Sequence, residues 1–373
     1  MSIATPGQTQ ARPITGDALL QALTGSRIAG LDFLRAIAVL LVLTDHSGLP
    51  NLGPLVLFNG GVGVEIFFVL SGFLITWILT AEVQKTGGVN LWAFYRRRAA
   101  RLLPIFYAYT AFGLVYLTLR HMPIPWGAVA AAMGYVVNYY QAFTGAQAHF
   151  LSHCWSLAVE EQFYFIWPFL LLLIRRQRWS MVKSLVIGIA LVWVLRPVLM
   201  LGFGVPDEYL YRALETRADH LAMGCLLAVL LRTPQWRLRF EKLASVPFIL
   251  LILAGLLLAS SSLQTIYVYK YSVGYALEPL LMAAMIPVVV LKAQSFNWLG
   301  QSLNARWLVL IGQASYGMYL LHPIMMHPVR NLVKSLTDSY ALGVVASIVA
   351  LTLIAHWSYK YFEGPVRERL RGA

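Results

Sequence analysis

The sequence predicts an all-α protein, a polytopic transmembrane helix bundle of about ten spans with one short re-entrant or buried segment. Three observations predict it. Of 373 residues, 59% are hydrophobic and only 12% are charged, against roughly 25% charged residues in soluble domains. The mean hydropathy is +0.66. Apolar runs near twenty residues long recur along the chain, separated by short basic loops, which is the pattern of bilayer-crossing helices. The net charge of +13 is spread over those loops beside aromatic residues, as in interfacial belts. It therefore points to topology and to anionic membrane lipids as partners, and not to nucleic acid.

In chain order, residues 1–26 are rich in Ser, Thr, Gly, Gln and Pro, too polar for a signal sequence, and read as a disordered cytoplasmic tail. Residues 27–366 form the membrane domain, and 367–373 a basic cytoplasmic C-terminal tail. Eleven apolar segments fall near 29–48, 61–81, 102–119, 127–141, 155–174, 181–201, 218–231, 246–263, 273–291, 308–326 and 341–361. Basic clusters at Arg96–Arg101, Arg175–Lys183, Arg232–Lys242 and the C-terminal end all read as cytoplasmic. Between Arg101 and Arg175 the chain must then cross an even number of times, although three apolar segments lie there. The segment 127–141 is short and ends in Asn-Tyr-Tyr-Gln, so it does not span. Ten spans follow, with both termini in the cytoplasm. Cys154 and Cys225 are expected to be free thiols.

Residues 29–48 carry the most informative polar pair. Arg35 and His46 are eleven residues apart, close to three helical turns, so they share one face about 16 Å apart. Ionisable groups on one stripe of a membrane helix are costly and point to function. The topology sets His46, Glu65, Glu160, Glu161, Arg217, Asp219 and His322, from five helices, at one outer depth. Together they predict a single polar cavity, with Arg35 deeper towards the cytoplasm.

In Trp155-Ser-Leu-Ala-Val-Glu160-Glu161-Gln162-Phe-Tyr164, a carboxylate could orient His46 and raise its strength as a base towards an alcohol. Ser71 and Gly72 read chiefly as helix-packing positions, with Ser71 a secondary option as nucleophile. Arg98 and Arg101 lie one turn apart and suit either a positive-inside anchor or a clamp for cofactor phosphates. His149, His153 and Cys154 have a spacing open to a metal, but they fall in a loop without a nearby carboxylate, and no metal site is assigned. His121, His327 and His356 read as interfacial.

With these residues in place, the chain resembles the acyltransferase 3 family of bacterial membrane O-acyltransferases from about residue 29 to 365. The resemblance rests on Arg35-x10-His46, Phe67-Phe-Val-Leu-Ser71-Gly-Phe-Leu-Ile-Thr76, Arg98-x-x-Arg101 and the Trp155–Tyr164 motif. It continues in Thr216-Arg217-Ala-Asp219-His-Leu-Ala-Met-Gly224, Ser315-Tyr316-Gly-Met-Tyr319-Leu-Leu-His322-Pro323 and Glu363-Gly-Pro365. It implies transfer of an acyl group, commonly acetyl, from acyl-CoA to a hydroxyl of a glycan or glycosylated metabolite at the bacterial inner membrane. Exopolysaccharide, lipopolysaccharide and peptidoglycan are all candidate acceptors, possible lipid-linked forms included, and glycan-assembly proteins are candidate partners. The implied catalytic residues are Arg35 and His46, with Glu160 or Glu161 in support. Arg98 and Arg101 face the coenzyme. Glu65, Ser71, Arg217, Asp219, Tyr316 and His322 line the cavity. A stand-alone form, without the hydrolase-like domain of some relatives, is expected. A membrane transporter or a polysaccharide-processing protein with a polar outer-half cavity is the alternative.

Overall fold

Gly30 turns the chain into its first long helix. At φ +87° its backbone lies in the left-handed region, and an added Cβ would press on Val289 at 3.0 Å, so glycine is required there. The computed structural model describes residues 17–25, 27–48, 60–146 and 148–372, and every regular element among them is helical. Residues 17–24, assigned from composition to a disordered tail, instead form α1 (Asp17–Thr24), which buries Leu19, Ala22 and Leu23. An apolar face at i, i+3 and i+4 suffices to dock a single short helix despite the polar residues around it. The remainder of the expected tail, residues 1–16, lies outside the described residues.

Past Gly30 run α2 (Leu31–Asp45), α3 (Gly60–Thr86) and α4 (Leu91–Leu119). Two eight-residue helices follow, α5 (Trp126–Met133) and α6 (Val137–Thr144). At 1.5 Å per residue each is roughly 12 Å long, far short of a bilayer core of about 30 Å. The segment expected not to span is thus two short helices broken at Tyr135, a non-glycine residue with φ 54°. Polar groups here find partners inside the bundle. Asn138 donates to Arg212 O at 3.1 Å, Gln141 to Ser152 O at 3.1 Å, and Gln162 to Tyr135 O at 2.6 Å, as lipid-depth backbone and amides require.

The chain continues through α7 (Cys154–Arg176), α8 (Met181–Pro197), α9 (Asp207–Arg212), α10 (Leu214–Leu230), α11 (Pro234–Leu243) and α12 (Val246–Ala259). It ends in α13 (Tyr267–Tyr269), α14 (Tyr275–Lys292), α15 (Trp298–Leu303), α16 (Arg306–Thr337), α17 (Tyr340–Ser358) and α18 (Gly364–Gly372). The last of these packs on α4, so residues 367–372 of the expected C-terminal tail are helical.

Among the described residues, seven helical runs are long and apolar enough to cross a membrane. The other three expected spans are α2, α10 and α16. The first two have 15 and 17 residues, while α16 has 32 but interrupts its apolar face with His322, His327 and Arg330. α2 and α10 thus fall short by length, and α16 by the polar residues it carries.

They also stand at the centre of the bundle. α2 packs on α3 and α16, α10 on α3 and α8, and α16 on α17. The α3–α10 crossing is held close by reciprocal glycines: a Cβ on Gly72 would strike the Leu221 carbonyl, and one on Gly224 the Val69 carbonyl. Small residues let membrane helices meet backbone to backbone, as the sequence suggested for Gly72. Cys154 and Cys225 are free and buried.

Candidate functional site

Three of the four expected site arginines and two of the three expected glutamates meet in one cavity. A space of about 270 Å³ is lined by Arg35 of α2, Ser71 of α3, Arg98 and Arg101 of α4, Glu160, Glu161 and Tyr164 of α7, and Tyr316 and Tyr319 of α16, with Ser156 and Tyr135. Arg98 sits two turns inside α4. Its Nη2 donates to Glu161 Oε1 at 2.7 Å, and its guanidinium lies 3.1 Å from the Tyr164 ring centre. Ser71 donates to Glu160 Oε1 at 3.0 Å. Arg35 donates to Asp32 at 3.3 Å and presents the rest of its guanidinium to the cavity. Arg101 lines it without an ion pair among the described residues.

This geometry corrects the expected partnership of Glu160 and Glu161 with His46. Each carboxylate is bonded elsewhere, and His46 does not line the cavity. It also corrects the placing of Arg98 far from the Glu pair. An arginine two turns inside its helix has enough reach to meet a residue two turns into an antiparallel neighbour. Tyr95, which donates to Phe165 O at 2.8 Å, fixes that α4–α7 pairing.

His46 lies at the end of α2, half-exposed, in a cluster of three histidines. Its ring centre is 4.8 Å from that of His322, which is 5.0 Å from His153. His46 Nδ1 is 2.9 Å from Val42 O, and His322 Nδ1 is 2.6 Å from Tyr319 O. A carbonyl can only accept, so in each neutral ring the proton sits on Nδ1 and Nε2 is the basic nitrogen. The reason Tyr319 O is free lies one residue beyond His322. Pro323 has no N–H to return to the carbonyl four residues back, and the imidazole takes that place. His322 is 1% exposed, and its Nε2 is buried with no hydrogen-bond partner among the described residues.

Tyr319 joins the two regions. It lines the cavity, its hydroxyl is 2.6 Å from Ser156 Oγ and donates to His153 O at 3.0 Å, and its ring packs on His322 at 5.7 Å. Sequence reasoning left Tyr319, Ser156, Tyr164 and His153 out of the site. The i, i+3 spacing of Tyr319 and His322, with Ser156 two residues after Cys154 at a helix start, was the available signal.

Glu65, Arg217 and Asp219 line neither the cavity nor the histidine cluster, which corrects the single shared cavity expected for them. They form a sealed network. Arg217 pairs with Glu65 at 3.2 Å, Arg196 with Asp219 at 2.8 Å, and His220 bridges, 2.9 Å from Asp219 and 3.4 Å from Glu65. Trp193 Nε1 donates to Asp219 at 3.0 Å, and Arg217 stacks 4.0 Å from the Tyr275 ring centre. Every ion-pair partner is almost completely buried. An expected common depth does not mean a common face: these side chains are turned towards α8, α10 and α14 and pair with one another, while Glu65 Oε2, Arg217 Nε and Nη1, Arg196 Nε and Nη2 and His220 Nε2 are buried without a hydrogen-bond partner among the described residues. Arg196 was the missing counter-charge. Among the described residues, no group of three His, Cys, Asp or Glu is placed to hold a metal.

The fold and this site define a multi-pass membrane protein whose helices enclose a small polar chamber rich in arginine. The chain belongs to the acyltransferase domain family, whose model matches residues 28–357. It is 30% identical to the peptidoglycan O-acetyltransferase OatA of Listeria monocytogenes over 364 residues, which is 91% of this chain and 56% of that protein. It is also 30% identical to the putative peptidoglycan O-acetyltransferase YrhL of Bacillus subtilis, over 91% of this chain and 55% of that one. The chain thus spans a little over half the length of these curated relatives. No solved structure matches it significantly.

Proposed function

We propose that this protein is an O-acyltransferase of the bacterial cytoplasmic membrane, with both termini cytoplasmic, which moves an acyl group, acetyl by preference, from acyl-CoA to a hydroxyl of a cell-envelope glycan. The observation that carries the reading is the arginine-lined chamber: Arg35, Arg98 and Arg101 converge on a space of about 270 Å³. That is just below the roughly 300–1,000 Å³ of small-molecule pockets, so it suits the thioester end of a donor, with the coenzyme phosphates held by arginine forks at the mouth. The relatives named peptidoglycan O-acetyltransferases make a glycan the preferred acceptor class.

In this mechanism Nε2 of His46 takes the proton of the acceptor hydroxyl. The oxygen attacks the thioester carbon, the C–S bond breaks, and the coenzyme thiolate leaves with the proton carried by His46. Arg35 stabilises the developing oxyanion. His322, pinned by Tyr319 O, orients the His46 ring, and Tyr319 borders the path from chamber to imidazole. Glu161 holds Arg98 in place for the donor, and Glu160 holds Ser71.

The test is transfer of labelled acetyl from acetyl-CoA to a peptidoglycan-derived or other envelope glycan by purified protein in lipid nanodiscs. Transfer coupled to release of free coenzyme A is expected, and His46→Ala should lose about 10²–10⁴-fold in rate, the usual contribution of a general base. Wild-type rates in His46→Ala, or acceptor transport without coenzyme A release, would defeat the proposal.

A further inference from the structure

On the other side of α2 and α3 lies a second cavity of about 380 Å³ that the acyl-transfer reading does not use. It runs between α2, α3, α12 and α14, closed at one end by α15. Its wall is almost wholly aliphatic, and the one charged side chain lining it among the described residues is Lys292, with Ser260 at the opposite end.

We propose that this slot is a binding site for an anionic glycerophospholipid, one acyl chain lying in the slot and the headgroup phosphate on Lys292. Three features support a lipid over another occupant. The slot lies at the apolar periphery of the bundle: only α12 covers its outer side, with Leu250 and Leu251 exposed on the far face and Leu253, which lines the slot, also exposed. Its depth fits one leaflet. From Met282 to Lys292 on α14 the lining covers ten residues, about 15 Å, half of a hydrocarbon core of about 30 Å. The charge stands where a headgroup would be, because Lys292 closes the membrane-length run Tyr267–Lys292. A lysine ammonium at a membrane boundary attracts anionic headgroups, and no carboxylate lines the slot to neutralise it.

The site touches the chamber through a single side chain. Leu70 lines both cavities, while its neighbour Ser71 lines the chamber alone. An occupied slot therefore braces α2 and α3 from behind, at the level of Arg35 and Ser71.

The experiment is native mass spectrometry of the full chain, delipidated in detergent and supplied with phosphatidylglycerol or phosphatidylcholine bearing identical acyl chains. The wild type should retain phosphatidylglycerol about fivefold better, the scale of one lysine–headgroup contact. Lys292→Gln should erase the preference while keeping chain binding. Met285→Trp, or Leu256→Trp from the opposite wall, should empty the slot and abolish retention of both lipids, with the melting temperature of each variant recorded to confirm folding. Equal retention of the two lipids by wild type would overturn the proposal. So would undiminished retention in folded tryptophan variants, or displacement of phosphatidylglycerol by an equimolar polyprenyl phosphate, which would assign the slot to a lipid-linked sugar. None of these readouts depends on acyl transfer.

Discussion

Two clusters in this membrane domain use the same residue types and arrive at opposite states. Around the chamber, Arg98 and Glu161 pair with about a fifth of each side chain exposed, and Arg35 and Arg101 turn unsatisfied donors towards open space. Around Asp219, two arginines, a histidine and two carboxylates are sealed and ion-paired with one another, and the donors they leave over, Nε and Nη1 of Arg217 and Nε and Nη2 of Arg196, are shut away from solvent. A buried ion pair is costly to create and more costly to break, because the surviving charge is left in low dielectric. The sealed network therefore holds α3, α8 and α10 together, and the open cluster is the one whose spare donors face a cavity that a ligand can fill.

The largest effect that separates the two is expected at the sealed end. Asp219→Ala strands Arg196 and should cost roughly 3–5 kcal/mol, read as a fall in melting temperature and in yield of monodisperse protein. Arg217→Ala should behave alike. A stable, well-folded Asp219→Ala protein with selectively impaired acyl transfer would reverse the assignment of the two clusters.

Next in size is Pro323→Ala. It restores the backbone N–H that competes with His322 for Tyr319 O, and so loosens the imidazole that packs on His46. Transfer rate should drop about tenfold at nearly unchanged stability, since one hydrogen bond is worth about 0.5–1.5 kcal/mol. An unchanged rate would remove His322 from the account of how His46 is oriented.

The smallest effect should be at Ser71. Its hydroxyl donates to Glu160 and also meets Tyr164, so Ser71→Ala should change the rate only a few-fold, within the worth of such neutral bonds. Total loss of activity would instead make Ser71 a nucleophile.

How much of this was legible in the sequence follows the same division. Helix periodicity and apolar length show the bundle and the broken segment between Arg101 and Arg175. They do not show azimuth. Glu65, Asp219 and His46 are expected at one depth, yet Glu65 and Asp219 turn towards α10 and α8 while His46 turns towards α16, and only packing decides this. Arg196 was hidden because a single arginine near a helix end reads as an anchor. The tautomer of His322 was readable in principle, from His-Pro inside a helix and the carbonyl that the proline leaves free. Docking of α1 was hidden by the polar composition around Leu19 and Leu23.

The measurement that bears most directly on the open cluster is equilibrium binding of acetyl-CoA to purified protein, wild type against Arg98→Gln, Arg101→Gln and their double variant. If the chamber is the donor site, each single change raises Kd by roughly tenfold, near the 1.5–3 kcal/mol of a hydrogen bond to a charged group, and leaves the melting temperature within a few degrees of wild type. An unchanged Kd in a folded double variant would contradict the donor assignment and leave the chamber without its ligand.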